Sequence, residues 1–218
     1  MWIKRFFLFS MAGLLVALSS CFASYTAKDY TRLLGMEGFS DELLQMHFKL
    51  YEGYVKNTND LQTKLQAMGD PSSYESQALR RRFGWEFDGM RLHELYFENL
   101  GGKETLSGAD PLSIALSTQF GSFERWKQDF IAAGMTRGIG WVLLYYDPAA
   151  KKLFNVWINE HDTGHLVTGI PILIMDVFEH AYMPQYKLDR GKYIEAFFNN
   201  VAWQTVSKRF SSSQEQKK

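Results

Sequence analysis

Two of the five histidines in this chain stand where ordinary packing would place an aliphatic side chain, and a third follows an acidic residue that ends an apolar strand. His47 lies on the apolar face of a helical stretch marked out by Leu43, Leu44, Met46, Leu50, Tyr51 and Tyr54. His93 lies on the apolar face of a second stretch, from about Glu75 to Asn99, carrying Leu79, Phe83, Met90, Tyr96 and Phe97. His180 follows Asp176 by four residues, and Asp176 ends the apolar strand Ile170 to Met175. The cluster Gly69-Asp70-Pro71-Ser72-Ser73 separates the two helices, which therefore form an antiparallel hairpin. Pairing them brings His47 and His93 together, facing the end of that strand.

Three imidazoles and one carboxylate make a nitrogen and oxygen donor set suited to iron or manganese, with a position left open for solvent or substrate. Cys21 is the sole cysteine, so the folded body has no internal disulfide and no thiolate to serve as nucleophile or ligand. The 24 Lys and Arg balance 24 Asp and Glu, so no overall field points to nucleic acid or a membrane surface as the main partner. Steering of a charged substrate has to be local. At 218 residues with 46% hydrophobic side chains, the chain is long enough for one unit or two small lobes sharing a core.

The first residues read as an export signal: Lys4 and Arg5, an apolar run from Phe6 to Leu18, then small residues at Ser19, Ser20, Cys21, Ala23 and Ser24. The run is short for a membrane span. Leu18-Ser19-Ser20-Cys21 resembles a bacterial lipobox, which would place a lipid on Cys21, while Cys21-Phe22-Ala23 would suit ordinary cleavage before Ser24. Residues 1–23 are therefore set apart as a signal, and the mature chain is expected in the periplasm or cell envelope. The expected class is α+β: an N-terminal α-hairpin domain over 28–107, then a C-terminal α/β domain over 108–210 with a three-stranded antiparallel sheet. Helix is expected over 28–68, with Ser40 and Asp41 as N-cap candidates, and over Pro111 to Ala133 and Lys192 to Phe210. Strands are expected over Gly138 to Tyr146, Lys152 to Asn159 and Ile170 to Met175. Gly101-Gly102 opens the linker, and Ser211 to Lys218 is a polar tail expected to fray.

Asp176-Val177-Phe178-Glu179-His180-Ala181-Tyr182 closely resembles the DxWEHAY signature of the iron/manganese superoxide dismutases. Gln185-Tyr186-Lys187, Tyr193, Phe197, Asn199-Asn200 and Trp203 keep that family's spacing, and Gly138-Ile139-Gly140-Trp141 is similar to its GSGW. The resemblance extends to His93 with Phe97, Asn99 and Leu100, and to Ser40 through His47 followed by Tyr54-Val55. It implies that His47, His93, Asp176 and His180 hold one iron or manganese ion, with solvent as a fifth ligand. It implies disproportionation of superoxide to oxygen and hydrogen peroxide by a homodimer in which Glu179 reaches the partner subunit's His180. Trp141 and Tyr182 would surround the site, and Tyr54 corresponds to the family's gateway tyrosine.

The resemblance also exposes departures. The outer-sphere group that tunes the ion is commonly a Gln, from one of two places. Gly89 occupies the first, and Asn159-Glu160-His161-Asp162 the second, so His161 is the candidate replacement and Glu160 its competitor. The family's active-site His between ligand and gateway is replaced by Leu50 or Tyr51. Met183 stands for the usual second Tyr after HAY, and Phe178 and Leu143 for Trp. Lys49 and Arg190 match basic residues near the family's funnel mouth, with steering or a solvated ion pair as their two roles. His165 is expected at the surface or just outside the site. The alternative function is a non-catalytic metal-binding envelope lipoprotein that keeps the dismutase fold.

Overall fold

The computed structural model describes residues 23–215. The expected export signal lies, apart from Ala23, outside those residues, as do Cys21 and the last three residues of the tail. Two long helices start on serine caps. Helix α1 (Asp41–Ala67) begins where Ser40 Oγ accepts from the Leu43 amide at 3.2 Å, and α2 (Tyr74–Glu98) where Ser73 Oγ accepts from the Ser76 amide at 3.2 Å. Their contacts run in opposite senses: Asn57 reaches Glu86, Tyr51 reaches Glu94, and the rings of His47 and His93 meet. That is the antiparallel hairpin expected from the spacing.

The helix expected from residue 28 is not there before Asp41. Only Thr31–Leu33 forms a short 3-10 turn, because Gly35 and Gly38 take φ of 76° and 80°, which end a right-handed helix. The segment instead straps across the hairpin: Tyr25 exchanges hydrogen bonds with the Asn59 amide, and the Lys28 amide donates to Tyr51 Oη.

The helix expected over Pro111 to Ala133 is two, α3 (Pro111–Phe120) and α4 (Phe123–Gly134), split at Gly121 with φ of 91° and restarted by the Ser122 cap. Strands β1 (Gly140–Asp147), β2 (Lys152–Asn159) and β3 (Ile170–Asp176) form an antiparallel sheet in the order β2-β1-β3. Buried on nearly every position, β1 sits at the sheet's centre, and its Trp141 pairs with Ile158 on one side and Asp176 on the other. Then come α5 (Glu179–Tyr186), α6 (Arg190–Asn199) and α7 (Trp203–Glu215). The single helix expected from Lys192 to Phe210 breaks at Asn200 to Ala202, where the chain pairs with the linker: Gly102 N donates to Asn200 O and Ala202 N to Asn99 O. A Cβ at Gly102 would lie 2.4 Å from Ala202 Cα, so the linker passes here only as glycine. The tail does not fray as expected over Ser211 to Glu215, which continues α7 with Ser213 buried.

Candidate metal centre

Asp176 closes β3 with its two carboxylate oxygens divided. Oδ1 accepts from the Phe178 amide at 2.9 Å, which turns the chain toward α5. Oδ2 faces His47 Nε2 at 3.2 Å, His180 Nε2 at 3.1 Å and His93 Nε2 at 3.7 Å. Behind it, Tyr193 Oη donates to the Asp176 carbonyl at 2.5 Å, and Tyr96 Oη meets Tyr193 Oη at 3.1 Å. Asp176, His47 and His93 are buried, and His180 is partly exposed. Burial pushes both His47 and His93 below the usual imidazole range, His93 well below it, which keeps these rings neutral and able to donate lone pairs. Burial alone would raise the Asp176 carboxyl, but the His180 and His47 imidazoles outweigh it and hold the carboxyl well below the usual range.

The donor set passes a geometric test for one ion. The four donor atoms all lie within 4.8 Å of one another. Two donors each about 2.1 Å from a shared ion are about 3.0 Å apart at a right angle and about 3.6 Å apart at 120°. The separations from Asp176 Oδ2 fall at these two spacings. A second observation agrees: His93 Nδ1 donates to the Gly89 carbonyl at 2.6 Å, so Nε2 carries the lone pair. Among the described residues it is the buried side-chain nitrogen or oxygen left without a hydrogen-bond partner. A buried polar atom without a partner is costly, and a cation at this place satisfies it.

Beside the cluster, Trp141 Nε1 donates to His161 Nδ1 at 3.0 Å, so in the neutral ring Nε2 carries the proton and donates to Tyr54 Oη at 2.8 Å. Burial lowers His161 to about 4 and raises the Tyr54 phenol, so both stay neutral near pH 7. The ring of Tyr54 stacks on His93 with centroids 5.0 Å apart and occupies the space over Gly89, where a Cβ would lie 2.7 Å from Tyr54 Cδ1. This is the physical content of the glycine at the first outer-sphere position. Of the two sequence candidates at the second, His161 adjoins Tyr54, whereas Glu160 is exposed and accepts from Trp85 Nε1 at 2.9 Å. Phe178 stacks against His161 and His180.

Of Leu50 and Tyr51, Tyr51 is the buried one; its hydroxyl donates to Glu94 Oε1 at 3.0 Å and faces the N-terminal strap rather than the cluster. Lys49 is exposed and paired with Glu52 at 2.7 Å. Arg190 donates to the carbonyls of Gly134, Thr136 and Gly138 and to Tyr182 Oη, so it clamps the turn before β1. Tyr182 is buried against Tyr193, and Glu179 begins α5 beside His180. Sequence reasoning missed Trp85, which covers His161 at 4.4 Å between ring centroids and carries Arg82 over its face at 3.9 Å. Its spacing of four from Gly89, and of eight from His93, places all three on one helix face, a signal that was there to read.

A helical hairpin, the end of a three-stranded sheet and the helix after it gather three imidazoles and one carboxylate, a donor set for a single-ion centre of nitrogen and oxygen ligands. Comparison with known proteins gives the family. The family model for iron/manganese superoxide dismutases, C-terminal domain, matches residues 108–209. The iron superoxide dismutase of Cupriavidus metallidurans is 35% identical over 183 residues, 82% of this chain and 91% of that protein. A manganese superoxide dismutase of Haloarcula marismortui is 35% identical across 80% of this chain and 86% of that protein. The manganese/iron superoxide dismutase of Aeropyrum pernix is 32% identical across 79% of this chain and 83% of that protein. The chain belongs to the iron/manganese superoxide dismutases, a family of oxidoreductases.

Proposed function

We propose that this protein is a superoxide dismutase that binds one iron or manganese ion per subunit through His47, His93, Asp176 and His180. The observation that carries the reading is the bare, buried His93 Nε2 aimed at a carboxylate oxygen shared with two further imidazoles. When bound, the ion supplies one-electron oxidation and reduction of superoxide in turn. The chain's own residues supply geometry and protons. The Gly89 carbonyl fixes the His93 tautomer, and the Phe178 amide and Tyr193 hydroxyl fix the two polar ends of Asp176. Trp141 holds the His161 proton on Nε2, and His161 in turn occupies one lone pair of Tyr54 Oη. The phenol proton of Tyr54 is thereby left to point away from His161, a neutral donor stacked on His93 at the rim of the centre. His161, where the family often has a Gln, spends its one N–H on Tyr54 and its one lone pair on Trp141, so its link to the centre runs through Tyr54.

The reading extends to a homodimer. Among the described residues Glu179 makes no side-chain hydrogen bond or ion pair, while the His180 side chain is 21% exposed, which suits a Glu179 that reaches the partner subunit's His180. It extends also to export, on the strength of Lys4, Arg5 and the apolar run that follows. Relatives named for iron, for manganese and for both match at 35%, 35% and 32% identity, so either ion belongs in the proposal. The test is reconstitution of the metal-free protein with each ion separately, followed by metal analysis and a superoxide-removal assay. One ion per subunit and rapid removal with at least one of them is expected, and His180→Ala should lose the ion. Full loading with both ions and no removal would overturn the enzyme in favour of the metal-binding envelope protein.

A further inference from the structure

His165 is not used by the chemistry above, yet both of its ring nitrogens are engaged. Nε2 lies 2.7 Å from the His161 carbonyl, to which it donates. In the neutral ring Nδ1 then accepts from Tyr145 Oη, at 2.7 Å on β1. Asp88 Oδ2, on α2 next to Gly89, stands 3.7 Å from Nε2. The ring therefore links the His161 carbonyl to the central strand through Tyr145, with Asp88 of α2 close by but not hydrogen-bonded to it.

The loop needs such a link. It joins β2 to β3 through residues 160–169, with Glu160 and Gly164 at φ of 50° and 112° and Val167 92% exposed. Within it the Asn159 and Thr163 backbones pair, and Glu160, the loop's first residue, is tied to the Ile139 carbonyl and to Trp85 of α2, so His165 holds the loop on the other side of His161. The side chain it presents is also unforgiving. A neutral imidazole has one N–H and one lone pair on a rigid ring, and His161 spends both, toward Tyr54 and Trp141 at 2.8 and 3.0 Å. A shift of the backbone cannot be absorbed by rotating the ring without losing one of them. A flexible amide with two N–H groups would adapt; an imidazole depends on where its backbone is held.

We propose that His165 is a positioning residue: by fixing the His161 carbonyl to Tyr145 on the central strand, it sets the imidazole that donates to Tyr54. The proposal rests on the dismutase reading. The test compares His165→Phe and Tyr145→Phe with wild type, each also in a His161→Ala background, all loaded with the same ion. Three quantities are read: kcat/KM, the reduction potential of the bound ion, and the His161 Nε2 to Tyr54 Oη separation in crystal structures. His165→Phe is expected to keep its ion, lower kcat/KM about tenfold, shift the potential and lengthen that separation. Tyr145→Phe is expected to do the same to a smaller extent, and neither change should lower kcat/KM further once His161 is Ala. Unchanged kcat/KM, potential and separation would overturn the proposal, as would equal losses in both backgrounds. Should His165→Phe fail to fold, Tyr145→Phe decides by the same outcomes. Should the loaded wild type fail to remove superoxide, the dismutase reading falls, and the crystallographic separation still decides whether His165 positions His161.

Discussion

The imidazole of His93 spends one nitrogen on a backbone carbonyl and leaves the other bare in the interior, an arrangement that a well-packed protein without a cation would not keep. His161 makes the opposite choice and spends both, and burial lowers its basicity. Its folded value of about 4 lies below the ordinary imidazole value of about 6.5, so between them the unfolded chain binds a proton that the folded chain refuses. Stability from this group is therefore present above about pH 6.5 and is lost as pH falls toward 4, by at most about 3 kcal/mol. Urea unfolding of the metal-free protein between pH 4.5 and 7 should show the wild type losing more stability than His161→Gln, and parallel curves would contradict the burial of this ring. The donors were legible in the sequence because their chemistry is unusual for their positions. Gly89 and His165 could be placed near the site, but what they do could not be read, because one acts through the space it leaves and the other through a neighbour's carbonyl.

At the level of elements, the hairpin and three strands could be read from periodicity, since α1, α2 and the sheet strands each hold one pattern for their length. The breaks within helical patterns could not. Apolar spacing runs on through Gly121 and through Asn200 to Ala202, where one residue's φ or a pairing with the distant linker decides the outcome. The eight residues of α5 are too few to display a period at all. Contacts between elements also hold α2 in place. From α7, Arg209 donates to Leu95 O and Glu98 at 3.0 Å each, and to Asn99 Oδ1 at 3.0 Å, which satisfies the carbonyl end of the helix that carries His93. Replacing Arg209 by Met removes the guanidinium bonds, while the Leu95 carbonyl keeps the Asn99 amide and Glu98 keeps Lys28. A loss of about 2 kcal/mol is expected in urea unfolding, with Glu98 discounted for its partial exposure. A stability within error of wild type would show that solvent replaces the guanidinium at no cost.

For the molecule as a whole, a formal net charge of zero assigns any attraction of an anionic substrate to local charge. The basic residues near the centre are largely engaged: Lys49 with Glu52, Arg82 with Glu86, and Arg190 with backbone carbonyls. Assembly of subunits is the property that the sequence conveyed only through resemblance, since a self-complementary surface has no signature in one chain. If Glu179 reaches across the proposed dimer, Glu179→Ala should move the protein toward monomer in sedimentation at micromolar concentration while each subunit stays folded. An unaltered dimer would place the subunit contact elsewhere. The centre itself spans the chain, for His47 and Asp176 stand 129 residues apart and come from opposite halves of the fold. Such a socket has no early version. The nascent hairpin can offer two imidazoles, but the remaining donors arrive only with the sheet and the helix beyond it, so capture of the ion closes assembly and does not seed it.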